Sequence, residues 1–140
     1  MTGTDAPALP PLRPRAEVEA AIARLAQVLG ETEGVAIPQV EVDDAGYHVV
    51  VHSNSHEVLR DSTTDFDELL YWVFAGVTHK LAFAQAQARA RGGDGADPRR
   101  AAFARQLELL ARLDPDMAAR REAEIRRILE SAPYRDRPGG

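Results

Sequence analysis

Cysteine is absent from the 140 residues, which removes disulfides, thiolate metal sites and thiol nucleophiles together. No run approaches the roughly 18 to 20 apolar residues that a membrane-crossing helix needs. The opening stretch, MTGTDAPALPPLRPR, has no apolar segment of the kind a secretory signal carries, so a cytosolic protein is expected. Gly-rich phosphate loops are missing too. The one glycine cluster, GGDGAD at 92–97, does not fit G-x-G-x-x-G and follows a helical pattern, where a dinucleotide site requires a strand before it. Neither G-x-S-x-G nor H-E-x-x-H occurs. With these signatures gone, a non-enzymatic role is expected, with no cofactor and no metal.

What remains has the make-up of a globular chain, with 44% hydrophobic and 28% charged residues and length for one domain with a real core. Net charge is −5, and its distribution is uneven. Residues 1–68 hold 13 acidic and 4 basic side chains, whereas residues 69–140 hold 9 acidic and 13 basic. An acidic half suits a basic partner protein and repels nucleic acid.

Residues 1–14, with Pro7, Pro10, Pro11 and Pro14, read as a disordered tail, and 137–140 as a short C-terminal one. Between them, 15–136 is expected to form a single domain. In AEVEAAIARLAQVLG, Val18, Ile22, Leu25 and Leu29 recur at helical spacing, and Gly30 stands where a C-terminal cap belongs. IPQVEV and YHVVVHS flank Asp43-Asp44-Ala45-Gly46, a hairpin loop, and HEVLRDSTT adds a third strand after Asn54 and Ser55. Asp65 is placed to cap a long helix over 66–91. Asp97-Pro98 and Asp114-Pro115 each start a further helix, ending near Leu113 and Ser131. The order α-β-β-β-α-α-α gives an α+β fold with a small three-stranded antiparallel sheet.

On the helix over 66–91, Phe66, Leu70, Val73, Val77, Leu81, Ala84 and Ala88 make one core stripe, widened by Leu69 and Phe74. Trp72, the single tryptophan, lies with Glu68, His79 and Phe83 on a second line. Two apolar sides mean a helix central to its own domain, or one that offers a side to a partner or to a second copy of the chain.

His48, His52 and His56 are spaced by four, but on a strand that separates neighbours by roughly 13 Å, so solvent-facing strand histidines are expected, not metal ligands. Carboxylate pairs show no selective spacing. Arg99, Arg100, Arg105, Arg112, Arg120, Arg121, Arg126 and Arg127 make the last two helices basic, which is the basis of an alternative reading as a nucleic-acid-associated regulator. Interleaved acids, Glu122 before Arg126 among them, favour a salt-bridged solvated face.

The segment DFDELLYWVFAGVTHKLAFAQA, followed by DPRRAAFARQLELLARLDPDMAARREAEIRRILESAPYRD, resembles the Immunity protein 63 family of bacterial polymorphic-toxin systems. The likeness rests on Asp67-Glu68-Leu69-Leu70-Tyr71-Trp72, on Asp97, Arg99, Arg100, Phe103 and Gln106, on Leu109-Leu110 and Asp114-Pro115, and on Pro133-Tyr134 with Asp136. It covers roughly residues 64–136, and RGGDGA interrupts the polar stretch that precedes Asp-x-Arg-Arg in the family. The resemblance implies a protein that binds a cognate toxin domain and blocks it, without catalysis. Asp97 is expected to cap a helix, with the adjacent arginines holding it against a carboxylate such as Glu68. The expected toxin contacts are the acidic hairpin, Glu41, Asp43, Asp44 and Tyr47, with Asp61 and Asp65 near the sheet end and Trp72 on the second line.

Overall fold

The computed structural model describes residues 11–90 and 95–136. Helix α1 spans Arg15–Leu29, and three strands follow: β1 (Gln39–Asp43), β2 (Gly46–Ser53) and β3 (His56–Thr63). Helices α2 (Phe66–Ala90), α3 (Pro98–Leu113) and α4 (Pro115–Ser131) complete the α+β order expected from sequence. The strands form one antiparallel sheet in the order β1-β2-β3.

Local chemistry accounts for most boundaries. Gly30 adopts φ +69° and returns its N–H to Ala26 O, closing α1. Asn54 and Ser55 both take positive φ, 52° and 67°, the conformation that matches a two-residue turn to strand twist. At Gly46 a side chain is barred by contact as well as by φ +137°, since a Cβ would sit 2.7 Å from Thr63 O across the ladder. Asp97 and Asp114 cap α3 and α4 by accepting from Arg99 N–H and Asp116 N–H, each with Pro at the first helical position.

The core joins Val40, Tyr47 and Val49 of the sheet to Val18, Ile22 and Leu29 of α1, Leu69, Val73, Phe74 and Val77 of α2, and Leu109 and Leu110 of α3. Helix α2 is its centre, with the sheet against one side and α3 against another. This decides the two-sided helix in favour of a central one and corrects the stripe. Ala84 and Ala88 are exposed, while Tyr71, Thr78, Ala82 and Ala86 are buried. The reason is α3, which packs against α2 with Gln106 bonded to Thr78 and with Ala102, Phe103 and Gln106 buried. Gln106, wholly buried, donates to Ala75 O at 3.0 Å and Thr78 Oγ1 at 3.2 Å, and accepts from Arg121 Nε at 3.0 Å, so it ties α2, α3 and α4 together.

The chain ends are more engaged than their composition indicates. Leu12 packs on the core and Arg13 N–H donates to Tyr47 OH at 2.8 Å, so residues 11–14 are not a free tail. Residues 1–10 and 137–140, also read as tails, lie outside the described residues, as does Arg91 at the end of the long helix.

Candidate functional site

The acidic hairpin is less available than its sequence promises. Alternation places Tyr47 and Val49 towards α2 and His48 and Val50 on the opposite face. His48 is nonetheless buried, against the expectation of a solvent-facing ring, because its neighbours reach over it. Its Nε2 lies 2.8 Å from Asp43 Oδ1 and its Nδ1 2.6 Å from Ser62 Oγ. The bond from His48, with that from Ala45 N–H, holds the Asp43 carboxyl below its usual range. Arg60 on β3 reaches across β2 to Glu41 on β1 at 3.1 Å, and also pairs with Glu57 at 2.6 Å. His52 and His56 are exposed as expected.

The proposed contact set therefore does not share one surface. Tyr47, 1% exposed, is core and presents nothing to a partner, which corrects its expected role. Glu41 and Asp43 lie on the outer face, each with a partner inside the chain. Asp61 pairs with Val49 in register and so belongs to the opposite face, at the sheet margin. Asp44 is exposed at the turn. Trp72 is half-buried and packs on the core.

A more concentrated feature lies at the other end of the thread that Asp65 begins. Asp65 caps α2, accepting from Asp67 N–H at 2.9 Å and Glu68 N–H at 3.2 Å. The start of α4 stands beside it, and between the two helix ends is a cleft of about 450 Å³. Its walls carry Asp65, Asp67, Glu68, Asp114 and Asp116, and its lining includes Leu25, Leu70, Tyr71, Leu113 and Met117. Among the described residues Arg120 supplies the cleft's one cation, bound to both oxygens of Glu68 and stacked 4.0 Å above the Tyr71 ring. That pairing holds Glu68 below the usual carboxylate range. Five carboxylates against one guanidinium, with each helix start adding about half a positive charge, leave the cleft clearly negative. A second hollow of about 300 Å³, lined by Pro11, Arg13, Tyr47, Thr64 and Phe66, shares Asp65 and Asp67 with it.

Among known proteins, the family model for Immunity protein 63 matches residues 43–127, more than half of the chain. The chain belongs to the Immunity protein 63 family. An immunity function, in the general sense, follows from that membership. No curated protein and no solved structure matches the chain.

The Immunity protein 63 match begins at Asp43 and so takes in β2 and β3, which the sequence likeness, carried by 64–136, matched only in general pattern. It stops within α4 at Arg127, before Pro133, Tyr134 and Asp136. All of the cleft's carboxylates lie inside it. The Asp-x-Arg-Arg residues form a latch for the C-terminal segment. Asp97 is buried, accepts from Arg99 N–H, the Arg99 guanidinium and Arg135 N–H, and returns its own N–H to Asp136 Oδ1. These bonds, Arg99 first, press the Asp97 carboxyl far below its usual range. Arg99 also donates to the carbonyls of Ala132 and Pro133, and Arg100 pairs with Asp136 at 2.9 Å and covers the Tyr134 ring. The arginines thus hold the end of the chain, not Glu68, whose partner is Arg120.

The basic helices are largely neutralised. Arg99, Arg100, Arg105, Arg112, Arg120, Arg121 and Arg126 each pair with a carboxylate, and of the eight arginines Arg127 alone has no such partner among the described residues. Phosphate contacts would have to compete with those pairs. Among the described residues, no group of three or more His, Cys, Asp or Glu side chains could hold a metal ion, and no helix is long and apolar enough to cross a membrane.

On the second line of α2, His79 stacks on Phe83 with ring centroids 4.2 Å apart, and Phe83 meets Phe103 of α3 edge-on. His79 Nδ1 is buried without a partner. Burial, and then the charge of Arg121, lower its pKa from the ordinary 6.5. The unfolded chain therefore takes up this proton first. The ring's contribution to stability is intact above pH 6.5 and declines as pH falls from there towards the lowered value. His79→Phe keeps the stack and removes the titration. Urea midpoints measured on both sides of pH 6.5 should show a smaller loss on acidification in this variant than in the parent, and equal losses would refute the assignment.

Proposed function

We propose that the chain neutralises a cognate toxin domain by stoichiometric, non-catalytic occlusion, and that the cleft between the starts of α2 and α4 is the principal contact. The observation that carries this is the pairing of five carboxylates with an apolar lining at a concave site. A protruding Lys or Arg of the partner finds charge on the walls and aliphatic contact beneath, which is how such side chains bury their stems. Asp67 and Asp116 are exposed and have no side-chain partner among the described residues, so they are free to receive it. Asp43, Asp44 and Asp61 extend the negative field and favour fast encounter with a basic active-site surface.

Titration of the toxin domain encoded beside this chain tests the mechanism. Toxin activity should fall linearly with added protein and reach its floor at one-to-one, with a complex of that stoichiometry by mass. Inactivation at a small fraction of equivalence would mean catalysis instead. Absence of any complex, accompanied by RNA or DNA binding that weakens steeply with salt, would favour the nucleic-acid regulator.

A further inference from the structure

Strand β3 is an edge. It pairs with β2 on one side, and among the described residues nothing pairs with the other. Every residue from Val51 to Ser62 is exposed, so this hairpin stands clear of the body. Its apolar residues are concentrated: Val51 and Leu59 lie opposite each other at 39% and 48% exposure, and Val58, the extra residue at the register shift, is 60% exposed. An eight-residue edge with two exposed aliphatic side chains, Val58 and Leu59, and Val51 exposed beside them on β2, invites another strand.

We propose that the occupant is β3 of a second copy, paired antiparallel about a two-fold axis between Val58 and Leu59. The argument is charge complementarity. The strand reads His56-Glu57-Val58-Leu59-Arg60-Asp61. Reversed against itself in that register, Glu57 faces Arg60 of the other copy, Val58 faces Leu59, and His56 faces Asp61. Each cross-strand pair is complementary, and each occurs twice, as an isologous interface demands. The faces agree as well. Glu57 is in register with His52 and Arg60 with Val50, which share the outer face, whereas His56 and Asp61 are in register with Ser53 and Val49 on the other. The Arg60–Glu57 pair already present within the chain becomes part of a four-charge cluster across the axis. A shift by one residue would set Val58 against Arg60 and leave the charges unmatched. The same pattern that recognises its own copy therefore resists unrelated strands. The product is a six-stranded sheet, with the cleft between α2 and α4 left open in both copies. This inference does not rest on the toxin-binding reading. It places self-association on the sheet edge, away from the second line of α2, where Phe83 already meets α3.

Sedimentation velocity of the full chain from about 1 to 300 µM should show monomer passing to dimer. Glu57→Lys and Arg60→Glu, each setting two like-charge pairs across the axis, should weaken the dimer about tenfold or more. The exchange Glu57→Lys/Arg60→Glu should restore it to within about threefold, because the pairs are complementary again. Both positions are at the surface, and circular dichroism with thermal melts identifies any variant that fails to fold. In that case Leu59→Asp replaces it as the disrupting change. A chain that stays monomeric throughout, a dimer indifferent to both single reversals, or an exchange that fails to restore would each overturn the proposal.

Discussion

Phe74→Ala is expected to reduce the free energy of unfolding by about 4 kcal/mol. Phe74 is wholly buried in α2, in the cluster that joins α1, the sheet and α3. A wholly buried position in a cluster drawn from several elements cannot be refilled by one side chain without that side chain leaving its own contacts. A buried aromatic truncated to Ala loses both its transfer free energy and the contacts of the cavity left behind. Against a typical total of about 5 to 15 kcal/mol for a domain, the loss is large enough to bring the chain near its stability threshold. Equilibrium urea unfolding measures it directly. A loss below about 1 kcal/mol would show that α2 is not the centre of the core.

Asp67→Lys/Asp116→Lys is expected to weaken the toxin complex by at least about 100-fold, through faster dissociation more than slower association. Both carboxylates line the cleft, and they come from the first turns of different helices, so the double reversal places two cations where a basic side chain must enter. The folding cost is small, about 1 kcal/mol or less for each lost interaction with a helix start. Asp43→Lys/Asp44→Lys serves as the comparison. These residues lie at the hairpin turn, and reversal there should slow association less than tenfold and leave dissociation nearly unchanged. Calorimetry and stopped-flow binding separate the two. Equal loss from both variants would move the contact to the hairpin, and no loss from the cleft variant would remove the cleft from the interface.

Expectation and structure part at identifiable places. The alternation in YHVVVHS correctly marked a strand, but not that β2 is the central one, flanked on both sides. A histidine there is sheltered by Asp43 and Ser62 from neighbouring strands, whereas the same residue on an edge would be wet. The stripe on α2 was drawn at the right spacing. Which arc of the helix is covered depends on where α3 crosses, and that favoured Ala82 and Ala86 over Ala84 and Ala88. The N-terminal stretch was judged by proline content, yet Leu12 finds an apolar surface that composition does not reveal. Asp114 and Asp116 were visible only as an Asp-Pro cap and its first turn. A search for two acidic helix starts would have singled them out with Asp65 and Asp67, but nothing local says that those starts meet.

The amino-acid sequence by itself determined the seven elements, their order, the caps at Asp65, Asp97 and Asp114, the tight turn at Asn54-Ser55 and the family likeness. Each of these depends on residues within one or two turns or strand repeats of one another, where spacing and side-chain hydrogen bonding suffice. The tertiary structure decided which faces are dry, which arginines reach a carboxylate on another element, as Arg120 reaches Glu68, and that the starts of α2 and α4 enclose an acidic cleft. Those outcomes depend on packing between segments about 50 residues apart, joining Glu68 to Arg120 and Tyr71 to Glu124, and no local pattern encodes which helix start stands beside which.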